Sequence, residues 1–318
     1  IPVNKFVVSG ASKRGWTTWL TAAADTGPPG DLTMPWTAGN RVKAIAPIVI
    51  DVLNMDRNML HHFSAYGYWA PAVYDYVQER IFDRFSPEHE QYEAGLDLLR
   101  VVDPYEYRCR LEMPKLLLNA SGDQFFLPDS AQWYFDRLQG TNLLNYVPND
   151  DHGLNEDFSV GDATSPIASL LAFYTAIAHG GSLPDFSWEF DSDGSIVVYT
   201  GSTLINGSVR LCQARAAELR DFRLDSYASG AVPWSSTALV AEAPGRYRGA
   251  VALPTDGSYV GFFIQAQFSN AVSLKGLSPT LQVLAVQAGV SFPFTATTPI
   301  RVLPETAEGD NLYPVFAG

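Results

Sequence analysis

The sequence predicts an α/β protein whose parallel sheet is followed by a β-rich C-terminal region. Up to about residue 181, short apolar segments alternate with segments of helical periodicity, which is typical of parallel βαβ units. After Pro184, short β-rich segments are separated by turns rich in Gly, Ser, Asn and Pro, and this pattern favours a β-sandwich of the immunoglobulin or fibronectin type. We therefore expect two domains, residues 1–183 and residues 184–318.

Composition and charge are those of a folded chain without a basic binding surface. Hydrophobic residues make up 47% of the 318 residues and charged residues 17%, so a sizeable core can be buried. The net charge of −13 argues against a nucleic acid or an anionic membrane as partner. No run of 18 apolar residues occurs, so we expect no membrane span. Cys109 and Cys212 are too few for a disulfide framework, and whether they pair stays open.

The first predicted domain starts with a buried strand at residues 3–8 and a helix after Ser12. Apolar residues recur in that helix at helical spacing. Residues 26–40 are rich in Pro and Gly and are predicted to form a loop. Three further apolar strands are predicted within the segments "RVKAIAPIVIDVLN", "MPKLLLNASGD" and "NLLNYVPNDD".

Two more helices complete this domain. The segment "DSAQWYFDRLQG" predicts a helix with Asp129 as its N-cap and Gly140 as its end. The segment "SPIASLLAFYTAIAHGG" predicts a helix that ends at Gly180 and Gly181.

Residues 57–107 interrupt the alternation of strands and helices. They hold 11 aromatic residues in 51, against 13% aromatic residues in the whole chain, and their pattern is helical and irregular. We expect an insertion that covers the C-terminal edge of the sheet as a lid and shapes a pocket. An ordinary helical subdomain with its own small core is the alternative, and the two are compatible.

The second predicted domain contains only short strands. The segment "DSDG", residues 191–194, is similar to the start of a calcium loop, but Ser202 stands where such a loop needs a glutamate. We therefore predict a hairpin turn there. The predicted strands lie in "FSWEF", "SIVVYT", "SVRLCQA", "DFRLDS", "RYRGAVAL", "YVGFFIQAQF", "LQVLAVQAGVSF" and "IRVLP".

The stretch "VSGASKRGW", residues 8–16, places Ser12 between the first strand and its helix. Glycines stand on both sides, at Gly10 and Gly15. This arrangement is typical of a nucleophile elbow, the sharp turn that raises a serine hydroxyl above the end of a sheet. A tight turn with a helix cap explains the same residues, so the stretch alone does not decide.

A serine nucleophile needs a base, and the base needs an anionic partner. Asp123 follows the strand "KLLLNA" and His152 follows the strand "NLLNYV", so both stand where the carboxyl ends of parallel strands meet. The order Ser12, Asp123, His152 is that of α/β-hydrolases. Of the five histidines, only His152 has this position at a strand end. We therefore predict an α/β-hydrolase-like sheet that carries a catalytic triad.

The alternatives at these residues are weaker. Asp123 fits a plain turn residue, as Gly-Asp often does. His152 with Asp150 and Asp151 is a conceivable metal cluster, but adjacent residues of one loop converge poorly on an ion, so we expect no metal. The backbone N–H of Lys13 is expected to form one half of an oxyanion hole, and the Lys13 side chain is expected to face solvent.

Several stretches together resemble the PhoPQ-activated pathogenicity-related protein family, over about residues 1–190. They are "SGASKRGWTTWLTAAAD", "IVIDVLNM", "HHFSAYGYWAPAVYDY", "DPYEYRCRLEMPKLLLNASGDQFFLPDSAQWYFDRLQG" and "LNYVPNDDHGL". The resemblance implies an α/β-hydrolase-like domain with Ser12, Asp123 and His152 on the family's triad positions. Arg14 departs from the usual elbow, where glycine stands two residues after the serine, although glucuronoyl esterases show the same offset.

The resemblance also implies strands before the elbow, because family members carry several there. We therefore expect that N-terminal strands are missing from this sequence, and with them the second donor of the oxyanion hole. Without such neighbours the first strand would expose an unpaired edge.

The expected function is that of a secreted or periplasmic serine hydrolase that cleaves an ester or an amide without a cofactor. Its substrate, a small molecule or a peptide, is not identified by the sequence. The rival is a secreted signalling or surface-binding protein on a catalytically silent hydrolase scaffold, with a cell-surface or protein partner at the β domain.

Overall fold

A computed structural model describes residues 5–25, 41–154, 165–179, 181–201, 204–224, 230–269 and 293–305. The loop predicted at residues 26–40 and the strand predicted in "LQVLAVQAGVSF" lie outside these ranges. In the described part of the chain, no helix combines the length and the apolar character needed to cross a membrane.

The parallel strands are confirmed. They pair side by side in chain order, and the first of them ends about three residues later than predicted, while residues 3–4 of the prediction lie outside the described ranges. Their bounds are β1 (Phe6–Ala11), β2 (Val42–Ile48), β3 (Lys115–Ala120) and β4 (Asn142–Val147).

Helices cover both faces of this parallel part. Helix α1 (Lys13–Asp25) buries Trp19 in one core cluster, together with Ile45 of β2. Helix α5 (Pro166–His179), predicted from the sequence, buries Phe173 in the opposite cluster. Alternate residues of a strand point to opposite faces, and Ala44 and Ala46 accordingly join the second cluster. The result is a mixed α/β architecture with an apolar layer on each side of the sheet.

The insertion predicted at residues 57–107 is helical. Its rings pack on one another, with centroids 4.6 Å apart for Trp69 and Phe82, and the indole N–H of Trp16 in α1 donates to the Val102 carbonyl at 2.6 Å. The segment is therefore tied to the elbow helix. Its elements are α2 (Met55–Tyr66), α3 (Tyr74–Gln78), α4 (Tyr92–Val102) and the 3₁₀ turns Pro71–Val73, Phe82–Phe85 and Pro104–Arg110.

The C-terminal strands differ from the prediction because most of them extend the same sheet. Strand β12 pairs with β4 through Thr297 and Leu144, and β11, β7 and β8 follow in antiparallel order, with β13 beside β11. A separate sandwich is therefore not confirmed in the described residues. The bounds are β7 (Leu204–Ala216), β8 (Ser235–Ala238), β11 (Tyr259–Phe268), β12 (Phe294–Thr297) and β13 (Arg301–Leu303).

A second, antiparallel sheet packs on the face that α5 also covers. Gly249 allows this approach, because a Cβ there would meet Leu211 at 3.0 Å and Ile264 at 3.1 Å. The turn predicted at residues 191–194 is confirmed as a hairpin between the first two strands of this sheet, with Gly194 at φ +88°. In order, the strands are β5 (Phe186–Phe190), β6 (Ile196–Thr200), β10 (Arg246–Gly249) and β9 (Ala241–Ala243).

The prediction of an α-helix in "DSAQWYFDRLQG" is wrong. This segment forms two short 3₁₀ turns, Ser130–Trp133 and Phe135–Arg137. Asp129 does not cap a helix with its side chain, because its carboxylate is held by His61 at 2.8 Å and Arg220 at 2.6 Å. These tertiary contacts occupy the Asp129 carboxylate, which the prediction had assigned to the helix cap.

Candidate active site

Ser12 occupies a strained turn between β1 and α1. Its φ is +56°, which is uncommon for a residue with a side chain and is typical of functional turns. The Ser12 N–H donates to the Ile48 carbonyl at 2.9 Å, which ties the turn to the end of β2. A Cβ on Gly10 would lie 2.7 Å from the Arg14 carbonyl oxygen, and one on Gly15 would lie 2.8 Å from Ile50. Both glycines are therefore required by the tight turn, as a nucleophile elbow demands.

The structure brings Ser12, His152 and Asp123 together in one hydrogen-bonded row. His152 Nε2 lies 2.8 Å from Ser12 Oγ, and His152 Nδ1 lies 2.8 Å from Asp123 Oδ2. Asp123 and His152 follow β3 and β4, which are parallel neighbours, so both loops open at the same edge of the sheet. With Nδ1–H donating to the carboxylate, Nε2 is the nitrogen that can accept the serine proton.

Asp123 is buried and accepts hydrogen bonds from three donors. Its side chain is 4% exposed, whereas that of His152 is 17% exposed. The backbone N–H groups of Phe125 and Phe126 donate to Asp123 Oδ1 at 2.8 and 3.2 Å. Burial raises the pKa of Asp123, and the hydrogen bonds from His152 and from these two amides oppose that rise. The Phe125 ring packs against the imidazole, with centroids 4.4 Å apart.

The loop before His152 is anchored to the C-terminal part of the sheet. Asn149, at φ +61°, donates its side-chain amide to the Trp234 carbonyl at 2.9 Å and accepts from the Trp234 N–H at 2.6 Å. Its own N–H donates to the Ser121 hydroxyl at 3.1 Å. Asn149 was not predicted, because a Pro-Asn-Asp sequence is typical of an ordinary turn. The anchor shows that residues after the predicted boundary near 184 support the site.

Lys13 is the first residue of α1, where backbone N–H groups have no acceptor within the helix. Its side chain is exposed, as expected for a solvent-facing lysine. The backbone geometry is compatible with the predicted oxyanion donor, and that role stays a prediction.

The aspartates beside His152 are engaged locally. Asp150 Oδ1 accepts from the Asp151 N–H at 2.8 Å, and Asp151 Oδ1 accepts from the Gly153 N–H at 2.7 Å. Within the described ranges, no three His, Cys, Asp or Glu side chains cluster as metal ligands. The conformation of this loop is therefore explained by hydrogen bonds among its own residues.

A second acidic group lies near the site and was not predicted. Asp51 follows β2, is 3% exposed, and accepts hydrogen bonds from the hydroxyls of Tyr134 and Tyr146. Burial raises the pKa of Asp51 to about 7, and the two hydroxyl donors oppose this rise. The charges of Asp123 and Asp129 add to it. The signal in the sequence was an aspartate directly after an apolar strand, as at Asp123.

The helical insertion forms an aromatic cleft of about 270 Å³, lined by Tyr68, Trp69, Pro71, Tyr74 and Val77. It connects to the serine site through packed side chains. Trp69 stacks on the His62 ring, with centroids 5.7 Å apart, and the Phe125 backbone interacts with His62. The Phe125 ring contacts His152, so His62 and Phe125 lie between the cleft and the hydrogen-bonded row.

Comparisons with known proteins place these observations in context. The model of the family described as "PhoPQ-activated pathogenicity-related protein" matches residues 1–223. The chain is 29% identical over 325 residues to Autocrine proliferation repressor protein A of Dictyostelium discoideum. The alignment covers 97% of this chain and 61% of that protein. This chain thus spans about 61% of the length of that curated relative.

Among solved structures, acetyl xylan esterase 1 from a Thermoanaerobacterium species aligns with a TM-score of 0.33 and 18% identity. The alignment covers 48% of this chain and 41% of that chain.

Proposed function

The chain belongs to the PhoPQ-activated pathogenicity-related protein family, and from this premise we propose that it is a serine hydrolase that cleaves an ester or an amide. One observation carries the proposal. The hydroxyl of Ser12, the imidazole of His152 and the carboxylate of Asp123 form a continuous row with 2.8 Å at each step. Nucleophilic catalysis by serine requires this geometry.

The proposed reaction proceeds in two halves. Ser12 Oγ forms a bond to the substrate carbonyl carbon while its proton passes to His152 Nε2. The C–O or C–N bond of the leaving group then breaks, and that group departs with the proton from Nε2. Water repeats the sequence on the acyl-enzyme, so the acid is released and Ser12 Oγ–H is restored. Asp123 keeps its charge, holds Nδ1–H and stabilises the imidazolium in both halves.

Two further parts of the site have proposed roles. The Lys13 amide donates to the developing oxyanion from the first turn of α1. The aromatic insertion is proposed to shape the pocket for the acyl or leaving group, because its rings reach the site through His62 and Phe125. Serine acyl transfer of this kind needs no cofactor. We propose a secreted or periplasmic location for the activity.

Covalent labelling tests the proposal. The natural full-length protein is incubated with a fluorescent fluorophosphonate, beside the variants Ser12→Ala and Ser9→Ala. Ser9 is the matched control, because it lies in β1 three residues before Ser12 and its hydroxyl donates to the Ala46 carbonyl at 2.7 Å. We expect labelling of the wild type and of Ser9→Ala and none of Ser12→Ala. Equal labelling of all three, or of none, would contradict the proposal.

A signalling or surface-binding protein is the second candidate. The relative that is similar over 97% of this chain is a proliferation repressor by name, and a hydrolase scaffold does not by itself imply catalysis. In that case the β-rich region after residue 184 binds a cell-surface or protein partner, and Ser12 is silent. Binding to cells that is equal for the wild type and Ser12→Ala, together with the absence of Ser12-dependent labelling, favours this candidate.

A further inference from the structure

Gln124 joins the two loops that carry the acid and the base. Its Oε1 accepts the backbone N–H of His152 at 2.9 Å, and its Nε2 donates to Asp151 Oδ2 at 3.1 Å. The amide orientation is fixed by its partners, because a backbone N–H needs an acceptor and a carboxylate needs a donor. One side chain therefore makes two bonds to adjacent residues of the opposite loop.

The same carboxylate continues the connection toward the end of the histidine loop. Asp151 Oδ1 accepts the Gly153 N–H at 2.7 Å, so the backbone amides on both sides of the imidazole-bearing Cα are bonded. Beneath them, the Gly122 N–H donates to the Asp150 carbonyl at 2.9 Å. A Cβ on Gly122 would lie 2.9 Å from that oxygen, so the two loops are in close contact at their base.

These contacts set the position of His152 independently of its ring. The ring nitrogens face Ser12 and Asp123, whereas the amides on both sides of the His152 Cα are held by Gln124 and by Asp151. If only the two ring nitrogens of His152 were bonded, the backbone of its loop could shift and carry the ring with it.

We propose that Gln124 is a positioning residue for the base of the reaction, an inference that rests on the proposed hydrolase function. It acts through the backbone of His152 and does not touch the reacting atoms. A displacement of about 1 Å in a catalytic group can cost about 100-fold in rate. Loss of the Gln124 bonds is therefore expected to slow acylation of Ser12 by about 10- to 100-fold.

The test uses a swap of hydrogen-bonding partners. Gln124→Leu removes both bonds, and Gln124→Glu keeps the acceptor for His152 but faces the Asp151 carboxylate with a like charge. The double variant Gln124→Glu/Asp151→Asn keeps the acceptor for the His152 N–H and restores the bond between residues 124 and 151 with donor and acceptor exchanged. The Asn Oδ1 in this variant still accepts from Gly153. Gln91→Leu, at an exposed glutamine of the insertion, is the control.

Two readouts are taken in the full-length protein at pH 8. The first is the rate of phosphonylation of Ser12, and the second is the downfield proton NMR signal of His152 Nδ1–H, assigned by its absence in His152→Ala. We expect slower labelling and a lost or shifted signal in both single Gln124 variants, recovery to within about threefold in the double variant, and no change in Gln91→Leu. Thermal unfolding identifies any variant that is not folded.

The outcomes separate this inference from the function on which it rests. A wild type that is never labelled refutes the hydrolase, while the NMR signal still decides whether Gln124 positions His152. Labelling of Gln124→Leu at the wild-type rate with an unchanged Nδ1–H signal overturns the inference. So does a double variant that recovers neither readout.

Discussion

Replacement of Asp51 by Asn should change how stability depends on pH. The folded pKa of Asp51 is about 7 and its ordinary value is 3.8, because burial disfavours the charged carboxylate. The folded protein therefore keeps a proton that the unfolded chain releases between these values. The free energy of unfolding contributed by this group falls as pH rises through that window and is level above it.

The magnitude follows from the size of the shift. A difference of about three pKa units is worth about 4 kcal/mol, at about 1.4 kcal/mol per unit, and about 2.5 kcal/mol of it lies between pH 5 and pH 8. Asparagine has nearly the same shape and does not ionise. The stability of the wild type relative to Asp51→Asn should thus decline by about 2.5 kcal/mol from pH 5 to pH 8.

Urea unfolding followed by tryptophan fluorescence, at pH 5 and pH 8, measures this difference. Asp97→Asn is the control, because that carboxylate is 71% exposed on α4. Its stability relative to the wild type should not show this decline. If the gap between the wild type and Asp51→Asn stays constant within about 0.5 kcal/mol, the hydroxyls of Tyr134 and Tyr146 outweigh burial and the reasoning is refuted.

Three other substitutions test separate parts of the structure. Arg220→Ala leaves the Asp129 carboxylate buried without its guanidinium partner and should cost about 3–5 kcal/mol in urea unfolding, while a loss below about 1 kcal/mol would show that the pair is not buried in solution. Gly122→Ala forces the two loops apart at the Asp150 carbonyl and should slow fluorophosphonate labelling by at least about 10-fold, and an unchanged rate would contradict the tight loop contact. Asp123→Asn should reduce labelling by about 10⁴-fold with little loss of stability, and retention of a tenth of the rate would remove Asp123 from the proposed mechanism.

The positions of the three site residues could be predicted because each depends on local sequence and a simple rule of topology. Asp123 and His152 follow apolar strands, and adjacent parallel strands end at one edge. Ser12 lies between two glycines whose lack of a Cβ allows the tight turn. No information about distant pairing was needed beyond the alternation of strands and helices.

The contacts that support the site could not be predicted in this way. The bond from Gln124 to His152 joins residues 28 positions apart through the detailed path of two loops, one of which uses a positive φ at Asn149. A hydrophobic pattern does not encode such a path. Likewise, β12 was not among the predicted strands. All four of its residues are buried, so it shows no period-two alternation, and its pairing with β4 joins Thr297 to Leu144 across a long stretch of chain.

The predicted helix at residues 129–140 shows a third kind of limit. Asp129 is a good N-cap by local preference, but its carboxylate pairs with Arg220, which lies 91 residues away. Burial raises the pKa of Asp129, but the contacts of its carboxylate with His61 and Arg220 outweigh burial and lower the pKa below its ordinary value. Local capping preference cannot predict a competing partner that only the tertiary fold brings into contact.

Trapping of the acyl-enzyme tests the central claim most directly. The protein is mixed with a p-nitrophenyl ester, quenched in acid and digested, and the peptide that contains Ser12 is analysed by mass spectrometry. We predict an acyl group on Ser12 in the wild type and none there in His152→Ala. An unmodified Ser12 in a wild type that hydrolyses the ester, or equal acylation of His152→Ala, would contradict nucleophilic catalysis by this serine.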